Sequence, residues 1–499
     1  MIERLLIANR GEIALRVIRA CRELGIESVA VYSDADTRSL HVTLADRAVR
    51  IGPPPPSESY LSIGALLGAA RESGADAIHP GYGFLSENAA FARACEEAGI
   101  AFIGPPASAI EKMGSKIAAR ALAVRAGVPV VPGGVPSDQS DESIRAVVRD
   151  IGFPILLKPA AGGGGIGMKE VHDEAQLADA SARARREARA AFGDDTLYVE
   201  RLVMRPRHVE FQILADHHGN VIHVFERECS IQRRHQKVIE ESPSTAVTPA
   251  LRARMGEAAV AVARAAGYRS AGTIEFLLDG AGDDARFYFL EMNTRLQVEH
   301  PVTEEVTGID LVRAQIDIAS GEPLAWTQAQ LSQRGHAIEC RVYAEDPQTD
   351  LPQAGPLLIY REPMMPGIRI DSGVIEGGEI SVHYDPMIAK LIARGDSREA
   401  ARRRAHAALR AYPILGVRTN IPLLLALLEH PRFIGGDLDT GLLDREGDTV
   451  RPHLAPAPPP EVLMVAAAAR QHGNAGRVST DAGDVAGRDP WTSLRGVRV

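Results

Sequence analysis

Ionisable and amide side chains alternate along one short segment near the middle of the chain. In segment 291–300 they occupy every odd position up to 299, as Glu291, Asn293, Arg295, Gln297 and Glu299. Alternate residues of an extended chain share one face, so the pattern predicts that these five side chains converge. Such a surface suits a metal-bound phosphate with an acid–base group and an anion clamp beside it.

A predicted β-hairpin gives this segment a partner. Runs 273–278 and 287–291 are short, apolar and rich in β-formers, and the turn-forming residues 279–284 separate them. Folding about that turn brings Glu275 opposite Glu291. Facing carboxylates in apolar strands repel each other and are costly to desolvate unless a divalent cation lies between them. Oxygen ligands favour Mg²⁺ or Mn²⁺ over zinc, whereas the alternative is a surface hairpin with solvated acidic residues.

Composition restricts the class of protein. The chain has 499 residues, 45% hydrophobic and 24% charged, with a formal net charge of −9. This length accommodates about three domains, and the acidic balance argues against a general nucleic-acid or anionic-membrane binder. We therefore expect no nucleic acid and no membrane among its partners, and any phosphate recognition to occur in a pocket.

Cysteine spacing and hydropathy predict a cytoplasmic location. The four cysteines are far apart and form neither a close metal pair nor a disulfide framework, which fits a reducing interior. Met1 leads directly into a predicted strand without the features of a secretory signal. No stretch is long and apolar enough to span a bilayer.

The N-terminal region has the rhythm of an open parallel α/β sheet. Apolar runs at 3–8, 28–32, 75–79 and 100–103 alternate with helical segments such as 13–24 and 88–98. Loops 9–12 and 79–88 follow strands, so we expect both to face one ligand cleft. Ordinary turns between strands and helices would look similar.

A second unit, from about 114 to 320, contains a strand at 155–161 that leads into a glycine run at 162–167. Glycines let backbone amides approach an anion closely, and Lys158 would add a positive charge. The spacing fits neither a P-loop nor a dinucleotide-binding fingerprint. The alternative is a flexible hairpin tip.

A third unit, from Gly335 to about Leu443, opens with a predicted strand. Alternation places His336, Ile338, Cys340 and Val342 on one face and Glu339, Arg341 and Tyr343 on the other. Beyond residue 450 the chain is rich in Pro and Ala, which indicates a linker followed by a short helix at 461–471.

Several ordered blocks resemble the biotin carboxylase family of ATP-grasp enzymes across about 2–443. They are 7–14, 79–88, 207–210, 232–237 and 291–301. The resemblance implies a multidomain α/β and α+β fold: an N-terminal open parallel α/β domain (1–113), a central ATP-grasp domain (114–320) with a glycine-loop lid at about 131–203, a C-terminal α+β domain (335–443), and a Pro/Ala-rich linker and tail (444–499).

The resemblance also implies a reaction. Bicarbonate attacks the γ-phosphate of ATP to give carboxyphosphate and ADP, and the carboxyl group passes to N1′ of biotin. This would be the first half-reaction of an acetyl-CoA or other acyl-CoA carboxylase, which would place it in fatty acid biosynthesis. Implied cofactors are ATP, Mg²⁺ or Mn²⁺, and biotin as a substrate on a carrier. Implied partners are a biotin carboxyl carrier protein in trans, carboxyltransferase subunits and a second copy in a homodimer.

On the matched positions, the resemblance assigns residues to each substrate. ATP would be bound by Lys116, Lys158, Gly164, Gly165, the backbone around Glu200, Arg201, Leu202 and Val203, His208, His235, Glu275 and Glu291. Metal ions would be held by Glu275, Glu291 and Asn293, and bicarbonate by Lys237, Arg295 and the Val298 amide. Glu299 would deprotonate bicarbonate, Arg341 would stabilise the biotin enolate, and Tyr82 would line the biotin pocket.

These assignments also make chemical sense. Bicarbonate is a poor nucleophile, so a carboxylate that removes its proton and cations that fix the resulting dianion both help the attack. Metal ions neutralise charge that grows during phosphoryl transfer. The alternative for Arg295 and Glu299 is a salt bridge between the two. Arg207, Arg233 and Arg234 flank the two histidines and favour a phosphate-facing strip.

Two positions depart from the family pattern, and the tail carries no carrier motif. Ile166 stands where the family usually has Arg or Lys, and Arg201 where Lys is common. Segment 489–498 resembles the start of the region that joins fused carboxylases to their carrier, and no biotin-attachment motif follows. The carrier is therefore expected in trans, or the chain is a truncated fused protein.

Two alternative functions remain. One is another carboxyphosphate-forming ATP-grasp ligase, which Arg341 and loop 79–88 argue against. The other is a degenerate structural subunit.

Overall fold

The computed structural model describes residues 2–160 and 167–451, together with Met464. The elements below belong to a compact unit that ends at Arg451. Gly164, Gly165, Ile166 and the helix expected at 461–471 lie outside the described residues.

The N-terminal region forms an open parallel sheet, as the sequence predicts, and its five strands lie in the order β3-β2-β1-β4-β5. Helices cover its strands, which are buried because their apolar runs are nearly continuous. The elements are β1 (Arg4–Ile7), α1 (Gly11–Leu24), β2 (Glu27–Ser33), α2 (Leu40–Leu44), β3 (Arg47–Gly52), α3 (Ile63–Ser73), β4 (Ala77–His79), α4 (Ala89–Glu97) and β5 (Ala101–Phe102). Strand β3 escaped prediction because two exposed arginines, Arg47 and Arg50, interrupt its apolar pattern.

The central region contains a small antiparallel sheet, β6-β9-β7-β8, and five strands of a larger one. Its first elements are α5 (Ala107–Gly114), α6 (Lys116–Arg125), β6 (Gly133–Gly134), α7 (Asp141–Ile151), β7 (Ile155–Pro159), β8 (Lys169–Val171), α8 (Glu174–Phe192) and β9 (Leu197–Arg201). The remainder are β10 (Arg207–Ala215), β11 (Val221–Arg233), β12 (Gln236–Ser242), α9 (Pro249–Ala266), β13 (Ser270–Asp279), β14 (Arg286–Asn293), α10 (His300–Thr307) and α11 (Leu311–Ala319).

The C-terminal region contributes three strands to the same large sheet, whose order is β14-β13-β10-β11-β12-β15-β20-β18. Its elements are β15 (His336–Tyr343), β16 (Gly355–Pro356), β17 (Ile359–Tyr360), β18 (Ile368–Ser372), β19 (Glu379–Ile380), β20 (Met387–Gly395), α12 (Arg398–Arg410), β21 (Ile414–Leu415), α13 (Ile421–Glu429), α14 (Pro431–Gly435) and α15 (Leu442–Val450). Strands β12 and β15 pair directly, so one continuous sheet joins the two regions.

The predicted hairpin is present, and Glu275 pairs in register with Glu291 across β13 and β14. The expectation that the chain stays extended through residue 299 is wrong. Strand β14 ends at Asn293, and Val298 and Glu299 form a turn into α10. Glu299 is the N-cap residue and Pro301 lies in the first turn, a position where proline favours helix initiation.

Strand β15 has the two faces that the sequence predicts. Ile338, Cys340 and Val342 lie in the core with α12 and α13, and Arg341 points to the opposite side, where it meets Glu240 and Glu299. Among the described residues, no helix has both the length and the apolar character needed to cross a membrane.

Candidate active site

Lys237 lies at the centre of a buried cluster of carboxylates. Its ammonium is 2.6 Å from Glu210 Oε2, 3.0 Å from Glu275 Oε1 and 2.5 Å from Glu299 Oε1. Glu210 and Glu275 are register partners on β10 and β13, and Glu299 reaches the cluster from the start of α10. Burial by itself would lower the pKa of Lys237, but the surrounding acidic groups raise it well above its usual value, so the lysine stays charged.

Arg341 holds the other oxygen of Glu299. Its Nη2 is 2.9 Å from Glu299 Oε2, and its Nε donates to Glu240 Oε1 at 2.6 Å. Burial would raise the pKa of Glu299, but Lys237 and Arg341 together lower it well below its usual range. Glu299 is therefore an ionised carboxylate held between two cations.

The hairpin supplies a donor set that fits a hard divalent cation. Glu275 receives Asn293 Nδ2 at 2.7 Å, and His208 Nε2 lies 3.0 Å from its other oxygen. Burial and the charge of Glu275 raise the pKa of Glu291, because two facing carboxylates resist ionising together. A cation between them would remove that repulsion, and carboxylate and amide oxygens are the ligands Mg²⁺ prefers. These residues therefore fit a magnesium site.

Arg295 pairs with Glu87 and not with Glu299, which excludes the simple strand salt bridge. Its Nε is 2.8 Å from Glu87 Oε2, and its Nη1 donates to Gln297 Oε1 at 3.1 Å. Its Nη2 lies 3.3 Å from Asn293 Oδ1. Four of the five side chains of the alternating row thus contact one another or Lys237, although the strand itself ends at Asn293.

Tyr82 and Val298 both connect to a second buried lysine. The Tyr82 hydroxyl donates to Glu12, and Glu12 Oε1 is 3.1 Å from Lys390 Nζ. The same ammonium donates to the Val298 carbonyl at 2.9 Å.

The residues expected to contact the nucleotide lie on the small sheet and beside the hairpin. Lys158 forms an ion pair with Glu200. Lys116, at the start of α6, has its pKa lowered by burial, and the charges of Glu291, Lys158 and Glu200 also act on it. These four groups are therefore close enough to form one charged patch.

Some backbone amides near Glu200 already donate hydrogen bonds within the protein. The Arg201 amide donates to Pro132 and the Leu202 amide to Pro154, at 2.8 and 2.9 Å. Val203 follows half-buried. An adenine contact in this segment would therefore use the carbonyls or the Val203 amide.

The two expected histidines differ. His208 is buried within the cluster, whereas His235 is exposed in the β11–β12 turn with a φ of +64°. The flanking arginines do not form a common phosphate-facing strip, because Arg207 bonds Glu228 and Arg233 bonds Glu345 and Asp350. Their carboxylate partners are distant in sequence, so the sequence pattern alone could not reveal these pairs.

Sequence reasoning missed five residues of the cluster: Glu12, Glu87, Glu210, Glu240 and Lys390. Two of them carried a local signal. Glu210 lies two residues after His208 on one strand and so shares its face, and Lys390 is a cation flanked by apolar residues in the middle of its strand. Glu12 and Glu87 lie in the two loops that the sequence analysis expected to face a ligand cleft, although no role was assigned to either residue. Glu240 became visible only through its contact with Arg341 on a distant strand.

Models of three protein families match successive parts of the chain. The biotin carboxylase N-terminal domain matches residues 1–110, the ATP-binding domain of the carbamoyl-phosphate synthase L chain matches 115–327, and the biotin carboxylase C-terminal domain matches 339–445.

Individual relatives agree with these matches. A biotin carboxylase of Halalkalibacterium halodurans is 52% identical over 443 residues, which cover 89% of this chain and 97% of that protein. A pyruvate carboxylase subunit of Methanothermobacter thermautotrophicus is 53% identical over 445 residues, which cover 89% of this chain and 90% of that protein. The biotin carboxylase domain dimer of Hydrogenobacter thermophilus 2-oxoglutarate carboxylase, solved with MgADP, ADP and bicarbonate, has a TM-score of 0.86 and 45% identity, covering 91% of this chain and all of that one.

Proposed function

This chain belongs to the biotin carboxylase family and is an ATP-dependent carboxylase of biotin, and from that premise we propose which residues carry out each step. The observation that supports the assignment most strongly is the ionised Glu299 carboxylate held between Lys237 and Arg341. Glu299 thereby adjoins one cation for each of the two steps: Lys237 for the activation of bicarbonate and Arg341 for the carboxylation of biotin.

ATP is placed by cations and by the hairpin. Lys116, Lys158 and His208 face its phosphates, and Glu275, Glu291 and Asn293 would hold Mg²⁺. When bound, magnesium neutralises the charge that grows on the phosphate oxygens during transfer. Gly164 and Gly165, whose placement the structure does not describe, remain assigned to ATP by sequence alone, as does the exposed His235.

Bicarbonate is bound by Lys237, Arg295 and the Val298 amide, and Glu299 removes its proton. Glu299 is a weak base while both cations act on it, because its pKa is well below its usual range. When the bicarbonate anion binds Lys237 and Arg295, it offsets part of their positive charge, so the pKa of Glu299 rises toward that of an effective base. The deprotonated oxygen then attacks the γ-phosphorus, and ADP leaves.

Biotin is the acceptor in the second step, in which N1′ gains the carboxyl group of carboxyphosphate and the phosphate leaves with the N1′ proton. Arg341 donates to the ureido oxygen as negative charge develops there, and Tyr82 lines the biotin pocket. Arg341 is already fixed by Glu240 and Glu299, so its guanidinium needs little reorganisation at the moment of reaction.

The finer features of the function follow from the family. We assign biotin to a carrier protein that acts in trans, carboxyltransferase subunits as partners, and a homodimer as the assembly. Mn²⁺ is expected to replace Mg²⁺ at the same oxygen ligands. Acetyl-CoA, with a role in fatty acid biosynthesis, is the acyl-CoA we propose first. The four free, buried cysteines fit a reducing cytoplasm.

The test is ATP cleavage that depends on bicarbonate and is stimulated by free biotin. We expect both dependences in the wild-type protein, and Glu299→Gln to lose ATP cleavage with and without biotin by about 100-fold or more. Glu226→Gln is a matched control, because Glu226 is a buried carboxylate that pairs with Arg252 outside this cluster. Bicarbonate dependence without a biotin effect would favour a different ATP-grasp ligase, and no turnover would favour a structural subunit.

A further inference from the structure

Lys390 is a fully buried lysine in the middle of β20. It lies directly opposite Arg341 on one neighbouring strand and Asp371 on the other, so the three side chains share one face of the sheet. Its neighbours Ala389 and Leu391 are buried and apolar. Burying an ammonium is costly, and packing alone would be served by an apolar side chain at this position.

The Lys390 ammonium joins three segments that are distant in sequence. It donates to the Val298 carbonyl at 2.9 Å and lies 3.1 Å from Glu12 Oε1. Asp371 Oδ2 is farther away, at 3.9 Å. Val298 belongs to the turn before α10, Glu12 to the first turn of α1, and Lys390 to the C-terminal strands.

The contact with Val298 acts on the bicarbonate end of the site. The Val298 carbonyl belongs to the peptide group that joins Val298 to Glu299. A hydrogen bond to this carbonyl fixes the orientation of that peptide, and therefore the direction in which the Glu299 side chain leaves the backbone. Loss of the bond would leave the carbonyl of this half-buried residue without its donor, and the turn would be free to shift.

The contact with Glu12 acts on the biotin end. The Tyr82 hydroxyl donates to the same Glu12 oxygen that Lys390 approaches, and the Lys390 ammonium lies 6.0 Å from the centre of the Tyr82 ring. The other Glu12 oxygen is buried without a hydrogen-bond partner among the described residues. The Glu12 carboxylate therefore relies on Lys390 and Tyr82 for its polar contacts. In turn, the position of Glu12 determines where the Tyr82 hydroxyl lies.

We propose that Lys390 is a positioning residue that couples the two ends of the active site, holding the Val298–Glu299 turn through a carbonyl and Tyr82 through Glu12. The inference rests on the proposed function of these residues. Lys390 need not touch a substrate, because it acts through groups that do. Its removal should loosen the bicarbonate and biotin ends together and leave ATP binding unaffected, since its contacts do not reach the nucleotide residues.

The test is Lys390→Met in the full chain, which keeps the length of the side chain and removes its charge and donors. In steady-state ATP cleavage with free biotin, we expect the KM for bicarbonate and the KM for biotin each to rise by about fivefold or more. The KM for ATP should stay within about twofold, because ordinary contacts far from a substitution change little. If Lys390 had a purely structural role, Lys390→Met would lower the unfolding midpoint and leave all three KM values unchanged from wild type.

Arg16→Met is the matched control. Arg16 is also buried, lies one turn after Glu12 on α1, and joins Glu304 and Asp310 at 2.9 and 2.6 Å away from the substrate residues. We expect it to lower the unfolding midpoint without changing the KM for bicarbonate or biotin. If it raises both as Lys390→Met does, general loosening explains the result and the proposal is overturned.

Tyr82→Phe separates the effect on the biotin end of the site, which runs through Glu12, from the effect on the bicarbonate end, which runs through the Val298 carbonyl. It removes only the hydroxyl that meets Glu12, so the KM for biotin should rise and the KM for bicarbonate should not. Combined with Lys390→Met, it should add less than its own fold-change in the biotin KM, because both changes break one connection. Independent multiplication of the two effects would overturn the coupling.

Two outcomes separate this inference from the proposed function. Wild-type protein without bicarbonate-dependent, biotin-stimulated ATP cleavage would contradict the function itself. A working wild type with unchanged bicarbonate or biotin KM in folded Lys390→Met would overturn only the inference. If Lys390→Met does not fold, Glu12→Gln replaces it, and an unchanged KM for biotin in that variant would overturn the inference.

Discussion

Two adjacent glutamates on strand β12, Glu240 and Glu241, face opposite sides of the large sheet, and their pKa values are shifted in opposite directions. Glu241 accepts from His336 at 2.6 Å and from two nitrogens of Arg398 at 2.6 and 2.9 Å. Although burial opposes ionisation, these partners lower the pKa of Glu241 to about 2. Glu240 shares the single guanidinium of Arg341 with Glu299, and its Oε2 is buried without a partner among the described residues. Burial, with repulsion from Glu299, raises the pKa of Glu240 to about 7.

We infer that the difference separates charges that stabilise the fold from charges that serve the proposed reaction. On the Glu241 face, each carboxylate oxygen has a donor, as stable buried ion pairs require. On the Glu240 face, Glu240 Oε2 and both oxygens of neighbouring Glu339 are buried without a hydrogen-bond partner among the described residues. A Glu240 that is partly neutral near pH 7 leaves Arg341 with positive charge to offer a developing enolate, whereas a fully ionised partner would offset it.

The largest expected contrast is between the two arginines. Arg341→Ala should reduce carboxybiotin formation by about 100-fold, the scale for loss of a donor to a developing oxyanion, and retain much of the biotin-independent ATP cleavage. Arg398→Ala leaves Glu241 with one partner, so it should cost about 3 kcal/mol of stability while activity per folded molecule persists. Carboxybiotin assays and urea unfolding measure the two effects. If Arg341→Ala lost biotin-independent ATP cleavage and carboxybiotin formation equally, the assignment of Arg341 to the biotin enolate would be wrong.

The hairpin offers a second contrast, between the two facing carboxylates of the site and a half-buried carboxylate near the hairpin turn. Glu275→Gln and Glu291→Gln should each raise the Mg²⁺ concentration needed for half-maximal ATP cleavage by about tenfold, because each removes a charged oxygen ligand. Asp279→Asn, at the end of β13 in an ion pair with Arg286, is the control and should leave the Mg²⁺ requirement unchanged. Unchanged requirements in both glutamine variants would contradict the metal site.

The sequence predicts much of the fold, because its strongest signals are local. Apolar runs and turn residues predict the parallel N-terminal sheet and the β13–β14 hairpin, including the Glu275–Glu291 register. The pairing of β12 with β15, which joins the central and C-terminal regions, could not be predicted, since it depends on contacts far apart in sequence. Alternation failed after Asn293 because the start of α10 overrides it.

The site was predictable where residues form a motif and not where tertiary contacts create it. Glu299 and Lys237 lie in blocks that carry the family resemblance, Arg341 lies on a predicted strand, and the structure brings the three into contact. Glu240 carries no such signal, since sequence alone does not separate it from Glu241. Which of two adjacent glutamates faces the cluster depends on the β12–β15 register, and that register is set by the whole sheet.

The smallest expected effect is a change in the pH dependence of stability in Glu240→Gln and Glu241→Gln. It is also the most direct test of the two faces of β12, because each substitution replaces one carboxylate oxygen with an amide nitrogen on one face. The folded-state pKa of Glu241 is depressed from about 4.5 to about 2, so its ionisation adds stability above pH 4.5 that is lost as pH falls toward 2. The folded-state pKa of Glu240 is raised to about 7, so stability is lost as pH rises from 4.5 through 7. Glu241→Gln should therefore be most destabilising near neutral pH, and its deficit should shrink as pH falls below 4.5.

Glu240→Gln should show the reverse dependence. Relative to wild type, its stability should improve by about 1 to 3 kcal/mol between pH 5 and pH 8, because the variant avoids ionising a carboxyl that faces Glu299 and Glu339 and has only Arg341 and Lys237 to oppose them. Urea unfolding of the wild type and both variants at several pH values from 3 to 8 gives the differences. Parallel curves for the two variants would mean that the faces of β12 do not differ in electrostatic satisfaction.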